Sequence, residues 1–334
     1  MKKRTLLTIL QYVVFLGLGV FIIYRMIDNM SATEKDEMIS AIRQTRLWLF
    51  IPVLISGFMA HWIRALRWKL LLKPLDIHPS NTNITLSVLI GYVVNLLVPR
   101  MGEVAKCTIL ARHEQVPADK MVGTIVAERT FDVVSLGVIT MLTFVLQADV
   151  IGEYAGSLLG KFAGKTAVLA GAATAGLFGI LFLIFLYRRN KESKIAKFIK
   201  GMADGVGSIL VMKDRGKFLL YTVAIWTLYW LQGMIGFWAM PATEHLSSLA
   251  GWVALIFGSV GMIVTPGGIG AYPALVGSIL VSYNISLPDG NAYGWVCWLA
   301  QVVLTLVLGG VALLILPIYN RNRHHHGKAT VDTK

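Results

Sequence analysis

The sequence predicts an all-α polytopic membrane protein with six full spans plus two re-entrant helical hairpins in an inverted repeat. Three observations predict it. Of 334 residues, 56% are hydrophobic and the mean hydropathy is +0.66. That is more apolar surface than a water-soluble core can hide. The apolar residues fall in runs of membrane-crossing length, and the basic residues gather between those runs.

Taken in order, spans are expected near 5–24, 47–64, 122–146, 166–187, 218–240 and 292–318. Each approaches the roughly 20 residues that a hydrocarbon core of about 30 Å requires. The first follows Lys2, Lys3 and Arg4. It is too long for a signal core, and Met30-Ser31-Ala32 lacks the small residue a cleavage site needs first, so it reads as a retained span. Two further apolar regions are broken. Residues 83–98 run into Pro99-Arg100-Met101-Gly102-Glu103 and a leg ending near 112; residues 249–264 run into Thr265-Pro266-Gly267-Gly268-Ile269-Gly270 and a leg ending near 284. Proline and glycine break a helix and allow a sharp reversal. Each region therefore reads as a hairpin that enters and leaves on one side; two short spans joined by a tight turn remain the alternative.

The formal net charge is +13. In this setting it points to anionic lipid headgroups as partners and not to nucleic acid. With the N-terminus inside, cytoplasmic segments carry 22 of the 31 Lys and Arg, and external segments carry 6. This bias places both termini in the cytoplasm; the expected location is a bacterial inner membrane. The whole of 1–320 reads as one transmembrane domain with halves at about 1–146 and 165–318, followed by a basic tail, 321–334. Both halves run span, amphipathic connector, span, broken hairpin, span, with opposite topology. That order marks transporter folds, whose sites lie at broken helices. The second connector, 191–213, alternates lysines with an apolar stripe and reads as a helix lying on the membrane surface.

Enzyme chemistry is not expected. No Ser/His/Asp arrangement, metal-ligand spacing or nucleotide loop occurs, and the largest non-membrane segment is near 30 residues. Catalytic residues, metal and cofactor are accordingly all expected to be none. Cys107 and Cys297 have no redox spacing, and His324–His326 is assigned no role.

The candidate site is where charge meets the membrane. In the first hairpin Arg100 offers a planar fork for phosphate, with Glu103 and Lys106 sharing a helix face beyond Gly102. In the third span Glu128, Arg129 and Asp132 fall inside an apolar run. Only 14 residues separate Asp132 from Gln147, or about 21 Å of helix. Charges at that depth need partners or water. One arrangement pairs Arg100 with Glu128 and Arg129 with Glu103; another points Arg129 at a headgroup. In the second hairpin Gly267, Gly268 and Gly270 expose backbone N–H groups to a ligand or allow close packing. Tyr272 joins the candidate substrate-binding set, although packing is its simpler role. His61, Arg64 and Arg67, with Trp62 and Trp68, read as anchors at the cytoplasmic interface.

The stretch Gly91–Lys106, then Glu128-Arg129-Thr130-Phe131-Asp132, then Pro266–Tyr272, resembles the lysylphosphatidylglycerol synthase transmembrane family, which includes the flippase portion of multiple peptide resistance factor. The resemblance covers roughly 5–318 and is to a stand-alone member without the synthase domain. It implies lipid translocation, with Arg100, Glu103, Glu128, Arg129, Asp132 and Gly267–Gly270 matched by motif. The expected function is therefore a flippase-like lipid translocase for an anionic or aminoacylated phospholipid or related phosphate lipid. Two hairpins from opposite sides are expected to meet near the midplane as a groove. The alternatives are a secondary transporter of a small solute and a non-transporting partner of a lipid-modifying enzyme. A homo-oligomer is left open.

Overall fold

The computed structural model describes residues 17–98, 101–159 and 211–329, together with 207 and 209. Among the described residues every regular element is helical. Residues 17–28 form α1, followed by α2 (Ala32–Arg43), α3 (Phe50–Leu72), α4 (Asn81–Leu97), α5 (Gly102–Glu114), α6 (Ala118–Leu146) and α7 (Ala148–Leu159). After residue 211 come α8 (Arg215–Ala239), α9 (Ser248–Val264), α10 (Ala271–Leu280) and α11 (Leu287–Ala329).

Four stretches of the described residues are long and apolar enough to cross a membrane: Leu47–Leu75, Lys120–Leu146, Arg215–Ala239 and Leu287–Arg321. Their outer faces stay apolar. On α6, Val133, Val138, Met141, Leu142, Val145 and Leu146 are exposed, and on α11 so are Leu306, Leu313 and Leu314. Apolar faces this extensive are at home against lipid tails. The four match expected spans. The span expected at 166–187, residues 5–16 of the first span, and Pro99 and Arg100 lie outside the described residues, as does most of the 191–213 connector. One boundary differs from expectation. The second span was to end near 64, but α3 continues to Leu72, because the first helix breaker after Arg64 is Pro74.

The chain gathers into two compact units, one from Met1–Pro52, Thr130–Asp204 and Trp230–Leu299, the other from Val53–Arg129, Gly205–Tyr229 and Ala300–Lys334. Each contains one broken apolar pair, and the two pairs begin and end alike. The leading helices α4 and α9 are both 17 residues long. Ser80 caps α4 by accepting from Asn83 N–H, and Ser247 caps α9 by accepting from Ala250 N–H. Each helix then stops at an extended residue, Val98 at φ −133° and Thr265 at φ −123°. At 1.5 Å per residue each leading helix is about 25 Å long, short of a full hydrocarbon core.

In the second unit α4 and α5 touch backbone to backbone. A Cβ on Gly102 would overlap the Gly91 carbonyl oxygen and come 2.7 Å from Asn95 Cβ, so glycine is required for this approach. The far ends of both helices are tied by amides. Glu114 Oε1 accepts from Ser80 N–H (3.0 Å) and Asn83 Nδ2 (2.8 Å). Asn83 and Asn320 exchange amide hydrogen bonds at 3.1 and 2.9 Å, which fastens α4 to α11. Below them Leu86, Leu89, Ile90, Ala312 and Leu316 form an apolar seam between the same helices.

In the first unit the turn between α9 and α10 has Gly267, Gly268 and Gly270 at φ 65°, 75° and 72°, the left-handed region that glycine enters without a Cβ clash. Trp298 Nε1 donates to the Gly267 carbonyl at 2.7 Å, and Thr265 Oγ1 donates to the Ile269 carbonyl at 2.9 Å. Behind the turn, Phe237, Met240, Ala254, Val276, Leu280 and Tyr293 build the core.

The Gly102 contact sets up an opposed pair of outcomes. Gly102→Ala overpacks the α4–α5 contact and is expected to lose about 1–3 kcal/mol. Gly123→Ala, on α6 with nothing within 4 Å of the added methyl, is expected to gain about 0.5–1 kcal/mol from helix propensity. Thermal unfolding in detergent reads both signs, and a stable Gly102→Ala variant would refute the close contact.

Candidate functional site

The site is a buried charge cluster in the unit that holds α4 and α5. Helical spacing on α3 puts His61, Arg64 and Trp68 at i, i+3 and i+7 on one face, with Arg67 beside them. The first two turns of α5 supply Glu103 and Lys106. One face of α6 carries Thr124 and Glu128, four apart, and Arg129 follows. The first two turns of α8 contribute Phe218 and Thr222, and its middle contributes Tyr229.

Glu128 is the hub, with only 1% of its side chain exposed. Its Oε1 faces Arg64 Nη1 at 3.4 Å and Arg67 Nη2 at 3.6 Å, and its Oε2 accepts from Lys106 Nζ at 2.8 Å. Arg67 is fully buried. Its second amine donates to Thr222 Oγ1 at 3.1 Å, and its guanidinium carbon lies 5.3 Å from the Phe218 ring centre. Arg64 Nη2 donates to the Tyr229 hydroxyl at 3.2 Å. Lys106 sits 4.7 Å from the Trp68 ring centre, and Trp68 Nε1 donates to Thr124 Oγ1 at 2.9 Å. Taking these ions from water costs several kcal/mol each, offset only where partners are close and hydrogen bonds are satisfied. Here each cation has a carboxylate on one side and a hydroxyl or ring on another.

Toward the outside the cluster opens. Lys106 Nζ also meets Glu103 Oε2 at 2.8 Å, and Arg129 pairs with Glu103. Arg129 is 47% exposed and Glu103 is 19% exposed. Between these side chains lies a cavity of about 20 Å³, lined by Arg64, Tyr92, Glu103, Lys106, Glu128 and Arg129. That volume holds about one water. His61 packs against Tyr92 with ring centres 4.3 Å apart and planes tilted by 43°, so it buttresses the wall. Among the residues lining this cavity, three cations face two carboxylates. The arrangement suits an anion whose oxygens can bridge a guanidinium and an ammonium.

Of the expected site residues, the structure brings Glu103, Lys106, Glu128 and Arg129 together. The Arg129–Glu103 pair is one of the arrangements foreseen, while Arg100 lies outside the described residues. Asp132, one helical turn past Glu128, is half-buried and does not line the cavity. Gly267, Gly268, Gly270 and Tyr272 belong to the other unit. Their surroundings there are the protein's own: a Cβ on Gly270 would come 2.7 Å from the Gly19 carbonyl oxygen, and one on Gly258 would come 2.6 Å from the Tyr272 ring. Tyr272 is thus held as a packing residue.

Arg64 and Arg67 correct the expectation of interfacial anchors. A cation at the end of an apolar run ordinarily snorkels to water, but both are buried and face Glu128. Their spacing with His61 and Trp68 on one helical face was the available signal. The partner 64 residues away was not.

The family described as lysylphosphatidylglycerol synthase TM region matches residues 8–309. The UPF0104 membrane protein MJ1595 of Methanocaldococcus jannaschii is 27% identical over 133 residues, 39% of this chain. The matched part spans 36% of that relative's length. No solved structure matches.

Removing the hub takes a carboxylate partner from Arg64, Arg67 and Lys106, of which Lys106 keeps Glu103. Glu128→Ala is expected to destabilise the protein by about 3–5 kcal/mol, read as a lower unfolding midpoint in detergent. Replacing Arg67 by Met in the same background should restore part of the loss. Unchanged melting of Glu128→Ala would show that the cluster does not hold these helices.

Proposed function

The chain belongs to the lysylphosphatidylglycerol synthase TM region family, and from that membership we propose that it is a multi-pass, flippase-like lipid translocase. Its substrate is an anionic or aminoacylated phospholipid, or a related phosphate lipid, moved between leaflets without covalent chemistry. The observation that carries this reading is the charge cluster of Arg64, Arg67, Lys106, Glu103, Glu128 and Arg129. Lipid tails give such charges no solvation, so maintaining them at a broken helix is costly and is typically functional.

On this reading the half-exposed Arg129 and the neighbouring Lys106 hold the headgroup phosphate while the acyl chains stay among lipids. Arg64 and Arg67 hold the Glu128 carboxylate, and Glu128 with the Trp68 ring holds Lys106 at the cavity. The carboxylates Glu103 and Glu128 also offer a counter-charge to a cationic, aminoacylated headgroup. The matched caps and equal lengths of α4 and α9 support reading the two broken pairs as re-entrant hairpins of an inverted repeat, within six full spans. The excess of basic residues in one set of loops supports cytoplasmic termini, and the location proposed with them is a bacterial inner membrane.

Reconstituted protein should accelerate loss of fluorescence-labelled phosphatidylglycerol from the protected leaflet of liposomes. Arg129→Ala and Lys106→Ala should each slow that rate about tenfold or more, the usual scale for a lost charge-assisted hydrogen bond. Uniform slow exchange for all three proteins and protein-free liposomes would end the proposal.

A further inference from the structure

We propose that Glu103 is a built-in stand-in for the headgroup phosphate, the carboxylate that an entering phosphate displaces from Arg129 and Lys106. This inference deepens the translocase reading and rests on it. Two carboxylates enter the cluster and are held differently. Glu128 is enclosed by three cations from α3 and α5. Glu103 is met by Lys106 and by Arg129, the most exposed cation of the cluster. Glu128 is therefore the permanent anion and Glu103 the exchangeable one.

Between these side chains there is room for about one water, so a phosphate that reaches both Arg129 and Lys106 takes the place that the Glu103 carboxylate now fills. The place reached from outside is the one Glu103 fills. A phosphate presents oxygens to a guanidinium much as a carboxylate does, so Arg129 changes partner without changing geometry. Lys106 keeps one donor on Glu128 and turns another from Glu103 to the incoming oxygen. The start of α5 adjoins the same place, and Met101 provides no side-chain cap there. First-turn N–H groups and the positive helix end favour the anion that remains. Swapping an anion for an anion also spares the cations an unsolvated interval in a medium of low dielectric constant.

The test uses the full-length protein in phosphatidylcholine nanodiscs, titrated with phosphatidylglycerol and, in parallel, with inorganic phosphate. Glu103→Gln is expected to bind phosphatidylglycerol about two- to fivefold more tightly than the native chain, the scale of one partly exposed ion pair. Glu103→Asp, which keeps the charge but shortens its reach, should shift affinity the same way and guards against misfolding of the first variant. Arg129→Gln should weaken binding. Unchanged or weaker binding by both Glu103 variants, with Arg129→Gln still weakened, would overturn the stand-in and leave the translocase reading intact. No effect of any variant would remove the site itself. Tightening toward inorganic phosphate alone would identify a soluble anion as the occupant and overturn the lipid assignment.

Discussion

Burial of the Glu128 carboxylate is the constraint from which the ion network of this protein follows. A lone carboxylate at 1% exposure is not tolerated by a helical framework built for lipid; it must be met by cations whose own desolvation is then met by further groups. That requirement propagates outward. Arg67 needs Thr222 and the Phe218 ring, Arg64 needs Tyr229, and Lys106 needs Trp68, which in turn needs Thr124. Four helices are thereby tied by polar contacts where lipid tails supply little hydrophobic drive for helix association.

The two glycine-dependent features serve different ends. Gly91 and Gly102 bring α4 and α5 into backbone contact, which fixes Glu103 and Lys106 relative to the wall of the cavity. The Gly267–Gly270 turn spends its conformational freedom on closing against Trp298 and the Gly19 backbone. A rigid first turn of α5 beside a half-exposed arginine places donors before a ligand arrives, which reduces the ordering cost of binding.

Much of the architecture could be read in advance, because its signals are local. Legs expected at 83–98 and 249–264 appear as Asn81–Leu97 and Ser248–Val264, since Ser80 and Ser247 start them and Pro99 and Pro266 follow them. The Glu103–Arg129 pair was among the expected arrangements, because two opposite charges within apolar runs must find each other. What stayed hidden was long-range. Arg64 and Arg67 carry the same local pattern as interfacial anchors, and only folding reveals that α3 runs on to Leu72 and turns them inward. Tyr229 and Thr222, on a helix more than 150 residues further along, carry no local mark of their role.

The linear order of the cluster has a consequence for biosynthesis. Arg64 and Arg67 on α3 and Lys106 on α5 all precede Glu128 on α6, so a ribosome delivers every counter-ion before the acid that needs them. A segment bearing Glu128, Arg129 and Asp132 is a poor candidate for solitary partitioning into a bilayer. Its entry is eased when earlier helices already wait at the translocon, so α6 is set to join a partly assembled bundle and not bare lipid.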